Sequence, residues 1–140
     1  MNFIIEKNEQ YALIEPKSDF LTEDNCPELE KIIRDLYRLG YSNMILDFTK
    51  STVLDGFGVS LIRKATKICV NESGLFIVVT TDDEITHRLD GAKIEELTII
   101  RTLQEAADAV NLNELENDFK GEEDDEYDYG DFNESKESDF

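Results

Sequence analysis

The pattern of apolar and polar positions divides the chain into short apolar runs and amphipathic segments. Two β-prone runs, Asn2–Lys7 and Gln10–Glu15, flank Asn8 and predict an N-terminal hairpin. Two further runs, Met44–Phe48 and Leu75–Val79, are apolar throughout, and strands of this kind are usually covered on both faces. We therefore expect these two strands to pair in parallel, with helices packed on the sheet.

Four amphipathic segments lie between and after these runs. The first, Thr22–Leu39, repeats apolar residues on one face, with Pro27 in its first turn and Gly40 directly after its end. The other predicted helices are Phe57–Val70, Asp82–Leu89 and a final one that opens at the capping box of Thr102 and Glu105 and reaches Leu112. With a last strand at Leu97–Ile100, the order is β-β-α-β-α-β-α-β-α. This order predicts an α/β fold with a mixed, mostly parallel sheet of four to five strands and about four helices.

Charge is distributed unevenly over this pattern. The chain has 140 residues, of which 33 are acidic and 14 basic, and its net charge is −19. Residues 114–140 hold 13 of the acidic residues, only two lysines and almost no aliphatic side chains. Such a segment cannot bury enough apolar surface to offset the entropy of ordering. We therefore predict one folded domain, residues 1–112, and an acidic disordered tail, residues 113–140.

The same charge bears on partners and location. The phosphates of nucleic acids and anionic lipid surfaces repel a strongly acidic chain, so we expect neither as a partner. No apolar run is long enough to cross a membrane, and the first residues lack the basic and apolar regions of a signal peptide. We expect a cytoplasmic protein. Cys26 and Cys69 lack CxxC spacing and are predicted to be free thiols.

The turn that follows the Met44–Phe48 strand is the predicted functional site. Asp55 directly precedes a helix, where its carboxylate can accept hydrogen bonds from the free N–H groups of the first turn. Gly56 and Gly58 allow a tight bend and a close approach of the helix start to a neighbour. A helix N-terminus can also bind an anion. The residues alone leave a structural cap and a binding site as alternatives.

The strand, turn and helix together resemble the STAS domain, the fold of bacterial anti-sigma factor antagonists. The strand end Ile45-Leu46-Asp47-Phe48 leads to Leu54-Asp55-Gly56-Phe57-Gly58-Val59, in which Asp55 and Gly58 fall on the aspartate and glycine of the family signature. Ile85–Leu89 and Leu97–Arg101 resemble the family's third helix and last strand. The resemblance covers roughly residues 3–112, the whole predicted domain. It implies a protein partner, an anti-sigma factor that is also a serine kinase, and no cofactor.

One position departs from the family pattern. In the phosphorylated members, the serine or threonine directly after the aspartate takes phosphate from the anti-sigma factor. That position is Gly56 here, and the next family serine is Phe57. Because glycine has no hydroxyl, the resemblance implies a binding surface that phosphate cannot switch at this site. Ser51, Thr52 and Ser60 are the nearby candidates for phosphorylation, and an ordinary polar surface residue is the alternative for each.

The helix after the turn supplies the rest of the predicted partner surface. Phe57 would add an apolar contact, with a core position at the helix start as the alternative. Arg63, Lys64 and Lys67 would form a basic stripe for an acidic partner surface, with a solvated helix face as the alternative. The predicted partner-binding residues are Asp55, Gly56, Phe57, Gly58, Ser60, Arg63, Lys64 and Lys67.

No enzyme or metal site emerges from the remaining residues. His87, the only histidine, is expected on a helix surface, and no Gly-rich phosphate loop occurs. The tail does not fit a calcium loop, because Tyr127 and Tyr129 would occupy ligand positions. Its aromatic residues among acids leave three uses open: a solubilising tail, a docking segment, or a segment that folds back on the basic stripe.

These observations predict a regulatory, non-enzymatic module that binds an anti-sigma factor kinase and so releases a sigma factor. The alternative is a STAS subunit of a larger assembly, such as a lipid-transport ABC complex. Loss of the hydroxyl at position 56 fits both. The oligomeric state and the identity of the partner do not follow from the sequence.

Overall fold

The protein is a sheet with helices on both faces, in a computed structural model that describes residues 3–127 and side chains as far as Asp118. The strands are β1 (Phe3–Lys7), β2 (Ala12–Pro16), β3 (Phe20–Leu21), β4 (Met44–Asp47), β5 (Val53–Leu54), β6 (Phe76–Val79) and β7 (Thr98–Ile100). The helices are α1 (Cys26–Arg38), α2 (Gly56–Asn71), α3 (Asp83–Ala92) and α4 (Leu103–Tyr127).

The main sheet has five strands in the order β1-β2-β4-β6-β7. Strands β1 and β2 pair antiparallel, and every other pair in this sheet is parallel. The predicted hairpin and the mostly parallel α/β sheet are therefore confirmed. Strands β4 and β6 are buried at every position, as their apolar runs indicated. Phe48, predicted as a strand residue, lies just past β4, but its N–H still donates to the carbonyl of Val79 at 2.8 Å.

A second, two-stranded sheet was not predicted. Strand β3 pairs in parallel with β5, where Phe20 lies opposite Val53 and Leu21 opposite Leu54. The local pattern predicts no strand at either Phe20–Leu21 or Val53–Leu54. Strands of two residues carry no periodic signal, and their pairing depends on two distant segments meeting in space. This small sheet matters because β5 leads directly into α2.

Helix α1 begins later than the predicted Thr22. Residues 22–25 instead form a turn in which the Asn25 side chain accepts from the N–H of Thr22 and donates to the carbonyl of Phe20. Asn25 is buried, so these bonds also satisfy its amide. At the other end, Gly40 has φ +101 and terminates the helix as predicted.

The helices form two layers. Side chains of α1, α2 and α3 pack with Leu46 and Val78 on one face of the sheet. Ala106 and Val110 of α4 pack with Ile45 on the other face. Adjacent residues of β4 thus face opposite cores, as the two-residue period of a strand requires. Because both faces are covered, the site must lie at an edge of the sheet.

The final helix is longer than predicted. Helix α4 continues to Tyr127 rather than ending near Leu112. Beyond Leu112, the amide groups of Asn113 and Asn117 donate to the carbonyl oxygen of Ser73 at 3.0 and 2.8 Å, so the body of the protein supports this part of the helix. The rest of the predicted tail lies outside the described residues, and the division into a domain and a disordered tail stays a prediction.

Candidate functional site

The loop between β4 and α2 is tied down along its length. The Asp47 carboxylate accepts from the N–H and the hydroxyl of Thr49 at 3.0 and 2.6 Å. Further on, the N–H groups of Thr52 and Val53 both donate to the carbonyl of Asp19, at 2.8 and 3.2 Å. Together with the pairing of β3 and β5, these bonds determine where α2 begins.

Asp55 caps α2 and also joins it to the segment before α1. One carboxylate oxygen accepts from the N–H of Gly58 at 2.9 Å, and the other accepts from the N–H of Glu23 at 3.1 Å. A carboxylate at this position satisfies a free N–H group and complements the positive end of the helix dipole. Both hydrogen bonds of the Asp55 carboxylate are therefore structural, as a helix cap requires. In a partner surface, Asp55 would act by orienting the turn.

The two glycines of the turn differ in the space around them. A Cβ at Gly58 would lie 2.6 Å from Leu54 Cδ1 and 2.9 Å from the carbonyl oxygen of Leu21. Gly58 is thus required for the close approach of α2 to the small sheet. Gly56 is exposed, and a Cβ there would have nothing within 4 Å. A side chain at position 56, including that of serine, would therefore fit.

Two apolar side chains stand out from the surface at this turn. Phe57 is 58% exposed and Val53 is 49% exposed. Phe57 therefore does not occupy the core position that the sequence left as an alternative. An exposed aromatic ring at a rigid helix start has the character of an interface anchor, because its burial by a partner removes a large apolar area from water.

The basic residues of α2 contact the body of the protein. The Arg63 guanidinium donates to the carbonyl of Ala92 at 2.8 Å, at the end of α3. Lys64 Nζ lies 3.6 Å from a carboxylate oxygen of Glu30 on α1. Lys67 is exposed and lines, with Arg63, a cavity of about 350 Å³ between α2 and the segment that follows α3. The predicted basic stripe is therefore partly engaged by its own chain.

The three candidate hydroxyls lie in different environments. Ser51 is buried, and its hydroxyl donates to the carbonyl of Ser18 at 3.3 Å. Thr52 is exposed in the loop, and Ser60 is exposed on α2 one turn after Gly56. Of the three, Thr52 and Ser60 present a hydroxyl to solvent beside the turn.

A groove beside the turn brings in residues that the sequence did not associate with it. It measures about 580 Å³ and lies between the β5 segment and α3, with Thr52 and Val53 on one side and Glu84, His87 and Arg88 on the other. His87 is exposed, as expected for a helix surface residue. No local signal could place His87 near Val53, because the groove exists only through the packing of α3 against the small sheet.

Three further properties concern residues 3–127. Among the side chains that the structure describes, which end at Asp118, no group of three or more metal-ligating residues is placed to hold an ion. No helix in that range is long and apolar enough to cross a membrane. Cys26 and Cys69 are free and buried, in line with the prediction of free thiols.

Comparison with known proteins gives one family. Residues 3–106 match the STAS domain family. No curated protein sequence matches the chain.

Three similar solved structures agree with that match. A Thermotoga maritima protein described as an anti-sigma factor antagonist has a TM-score of 0.70 at 20% identity, covering 78% of this chain and 94% of that one. The anti-sigma factor antagonist SpoIIAA in its unphosphorylated form has a TM-score of 0.64 at 17% identity, covering 78% and 97%. A chain of the stressosome, a signal integration and transduction hub, has a TM-score of 0.58 at 12% identity, covering 77% and 96%. At these identities the likeness concerns the fold.

Proposed function

The chain belongs to the STAS domain family, and from that premise we propose that it binds an anti-sigma factor of the ATP-binding serine-kinase type. Its fold is that of anti-sigma factor antagonists, a regulatory and non-enzymatic group. In this proposal the protein acts in the cytoplasm, holds the anti-sigma factor and leaves the sigma factor free. Neither catalysis nor a cofactor is required.

The exposed Phe57 is the observation that carries the proposal. It lies at the start of α2, directly after Gly56, where Asp55 holds the turn through its two hydrogen bonds. A rigid turn loses little conformational entropy on binding, so the apolar area of the ring contributes to affinity with little offset. Val53 adds a second exposed apolar side chain, and the groove beside α3 adds polar groups from Glu84, His87 and Arg88.

Gly56 gives the proposal its regulatory content. The exposed position that follows the capping aspartate carries no hydroxyl, so a kinase partner has no acceptor there. We propose that binding persists in the presence of ATP, since no phosphate can be placed at the centre of the surface. Any modification would have to use another hydroxyl, of which Thr52 and Ser60 are exposed nearby.

The direct test measures the affinity of the full chain for a purified ATP-binding anti-sigma factor from the same organism, by titration calorimetry. Phe57→Ala should weaken binding by at least about tenfold, as expected for an aromatic anchor. Leu39→Ala removes a side chain of similar exposure, 64%, at the end of α1 and serves as the matched control. Equal affinities for Phe57→Ala and the unmodified chain would contradict the proposal.

Gly56→Ser tests the regulatory part separately. The open space at position 56 accepts the side chain, so the fold and the ATP-free affinity should stay the same. With ATP, the partner should phosphorylate the hydroxyl introduced at position 56, detected by mass spectrometry, and the added charge should weaken binding. Under the same conditions the unmodified chain should keep its affinity. Loss of its affinity on addition of ATP would show that another site carries a switch.

A second candidate function is a structural subunit of a larger assembly. The similarity to a stressosome chain favours it, because that protein belongs to a signal integration and transduction hub. Sedimentation velocity of the purified chain distinguishes the two functions. A monomer that binds the anti-sigma factor supports the first, and a large homogeneous oligomer in which the Phe57 turn is buried supports the second.

A further inference from the structure

Two leucines of helix α4 are exposed far from the turn that carries Phe57. Leu112 is 60% exposed and Leu115 is 66% exposed, which makes Leu115 the most exposed large apolar side chain within residues 3–118. They are three residues apart in a helix and therefore lie side by side. We call this pair the α4 leucine stripe. An exposed leucine alone needs no explanation, but a rigid pair forms a surface.

The support of α4 turns the stripe outward. Ala106 and Val110 are fully buried against the sheet. On the next turns of the same side, Asn113 and Asn117 both donate to the carbonyl oxygen of Ser73. The side of α4 that faces the body is therefore occupied through Asn117. Leu112 and Leu115 lie on the other side of the helix. Because the bonds to Ser73 fix the rotation of α4 about its axis, both leucines point away from the body.

Carboxylates surround the stripe. Asp108 and Glu116 lie one turn before and one turn after Leu112, and Asp118 lies three residues after Leu115. All three are exposed. None of them forms an ion pair with a described residue, in contrast to Glu30, which pairs with Arg34. The surface thus combines apolar contact area with negative charge that no side chain up to Asp118 pairs.

We propose that the α4 leucine stripe docks a basic amphipathic segment of a partner protein. The apolar side chains of that segment would cover Leu112 and Leu115, and its lysines or arginines would pair with Asp108, Glu116 and Asp118. This is the arrangement of an interface with an apolar centre and a charged rim. A second copy of this chain fits poorly, because it would place the same carboxylates against each other.

The stripe is separate from the Phe57 turn. The turn is at the start of α2, and Ser73, which anchors α4, lies just past the end of that helix. The 16 residues of α2 span about 24 Å. The two surfaces also lie on helices that cover opposite faces of the sheet. A partner on one surface therefore leaves the other uncovered, and one copy of this protein can connect two partners.

The test uses the full chain and a synthetic helical peptide that carries leucines along one face and lysines along the other. Calorimetry should show binding that weakens with added salt, because the rim contribution is screened. Changing both Leu112→Ser and Leu115→Ser should weaken binding by at least about tenfold while leaving the net charge unchanged. Leu39→Ser changes a leucine of matched exposure just past the end of α1, and this variant should bind as the unmodified chain does.

Three outcomes would overturn the proposal. If the unmodified chain does not bind the peptide, the stripe is not a docking surface for such segments. If the double leucine variant binds as well as the unmodified chain, the attraction is only that of net charge. If sedimentation shows a dimer that the double variant abolishes, the occupant is a second copy. Circular dichroism must show unchanged helix content in the variants, which is expected because both leucines are exposed.

Discussion

Among single residues, the two glycines in the first turn of α2 have opposite steric requirements. Gly58 is enclosed by Leu54 and by the backbone of Leu21, whereas Gly56 faces open space. The signature glycine is therefore a packing residue. Gly56, at the position where the resemblance to the STAS domain implies a phosphoacceptor, meets no steric demand. A serine side chain would fit there, so packing does not require the glycine.

This contrast predicts different stabilities for two matched variants. Gly58→Ala should destabilise the protein by about 1–3 kcal/mol, because the new methyl group overlaps Leu54 and the carbonyl of Leu21. Gly56→Ala should be neutral or stabilise by up to about 1 kcal/mol, since alanine restricts the unfolded chain and fits at the helix start. Urea unfolding of both variants measures the difference. Equal stabilities would contradict the packing role of Gly58.

The cysteines allow a prediction about pH. Burial raises the pKa of the Cys69 thiol to about 12, with a smaller opposing effect from a backbone hydrogen bond at Met44. Burial, followed by the charges of Asp55 and Glu30, raises the pKa of Cys26 to about 11. Because the ordinary value is 9.0, the native thiols keep their protons to a higher pH than the unfolded ones do.

Two measurements check this. At pH 8 both thiols should react slowly with iodoacetamide in the native protein and quickly in denaturant, since the thiolate is the reactive form. The protonated buried thiols contribute to the free energy of unfolding, and this contribution is complete below pH 9. It is lost as the pH rises through the native pKa values of about 11 and about 12, because the unfolded thiols lose their protons first. Cys69→Ala should reduce that loss. Fast native labelling at pH 8 would show that the burial is not maintained in solution.

At the scale of elements, Asn43 connects three parts of the fold. Its side-chain oxygen Oδ1 accepts from the N–H of Leu75 at 2.9 Å, before β6. Its amide donates to the carbonyl of Gln10 at 3.0 Å, before β2, and to the Glu114 carboxylate of α4 at 2.9 Å. Asn43 is buried, so water cannot easily replace these partners. One side chain thus aligns two strands and a helix.

Asn43→Ala should destabilise the protein by about 1–3 kcal/mol, because it removes the side-chain partner of the partly buried N–H of Leu75 and of the carbonyl of Gln10. Asn71→Ala, at an exposed position on the last turn of α2, is the control and should stay within about 0.5 kcal/mol. Hydrogen exchange should also show reduced protection of α4 after Val110 in the Asn43 variant. A uniform loss over the whole chain would mean that Asn43 stabilises the fold without a special link to α4.

At the scale of the molecule, α4 runs from one edge of the sheet to the other. It begins after β7, and its Asn113 and Asn117 reach Ser73, which precedes β6. The Phe57 turn follows β4 and lies at the edge where α4 begins. The helix therefore carries the chain away from the predicted partner surface. This direction bears on the hypothesis that the acidic tail folds back on the basic stripe.

Removal of residues 128–140 should leave the affinity for the anti-sigma factor unchanged within about twofold at moderate salt, where long-range repulsion is screened. The helical geometry favours this result, because those residues follow Tyr127 at the far end of α4. Calorimetry of the truncated and full chains, each with the Phe57→Ala variant as reference, provides the measurement. A clear gain in affinity on truncation would instead support autoinhibition by the tail.

The order of residues along the chain was enough to predict the α/β class, the hairpin, the parallel sheet and the four helices. These follow from local periodicity, since the apolar runs of β4 and β6 and the amphipathic face of α1 are encoded in neighbouring residues. The same local information predicted Asp55 as a cap, because a carboxylate directly before a helix start can accept from its free N–H groups, and the bond from the N–H of Gly58 confirms it. The interpretation of Gly56 as a missing phosphoacceptor rests on the resemblance to the STAS domain and stays a prediction.

Tertiary packing, in contrast, sets which side chains are available at the site. The exposure of Phe57, the burial of Ser51 and the engagement of Arg63 by the end of α3 depend on contacts between segments far apart in the chain. The small β3–β5 sheet and the outward direction of Leu112 have the same origin. A local pattern shows that a helix has an apolar and a polar face. Which neighbour covers each face is decided when the chain packs.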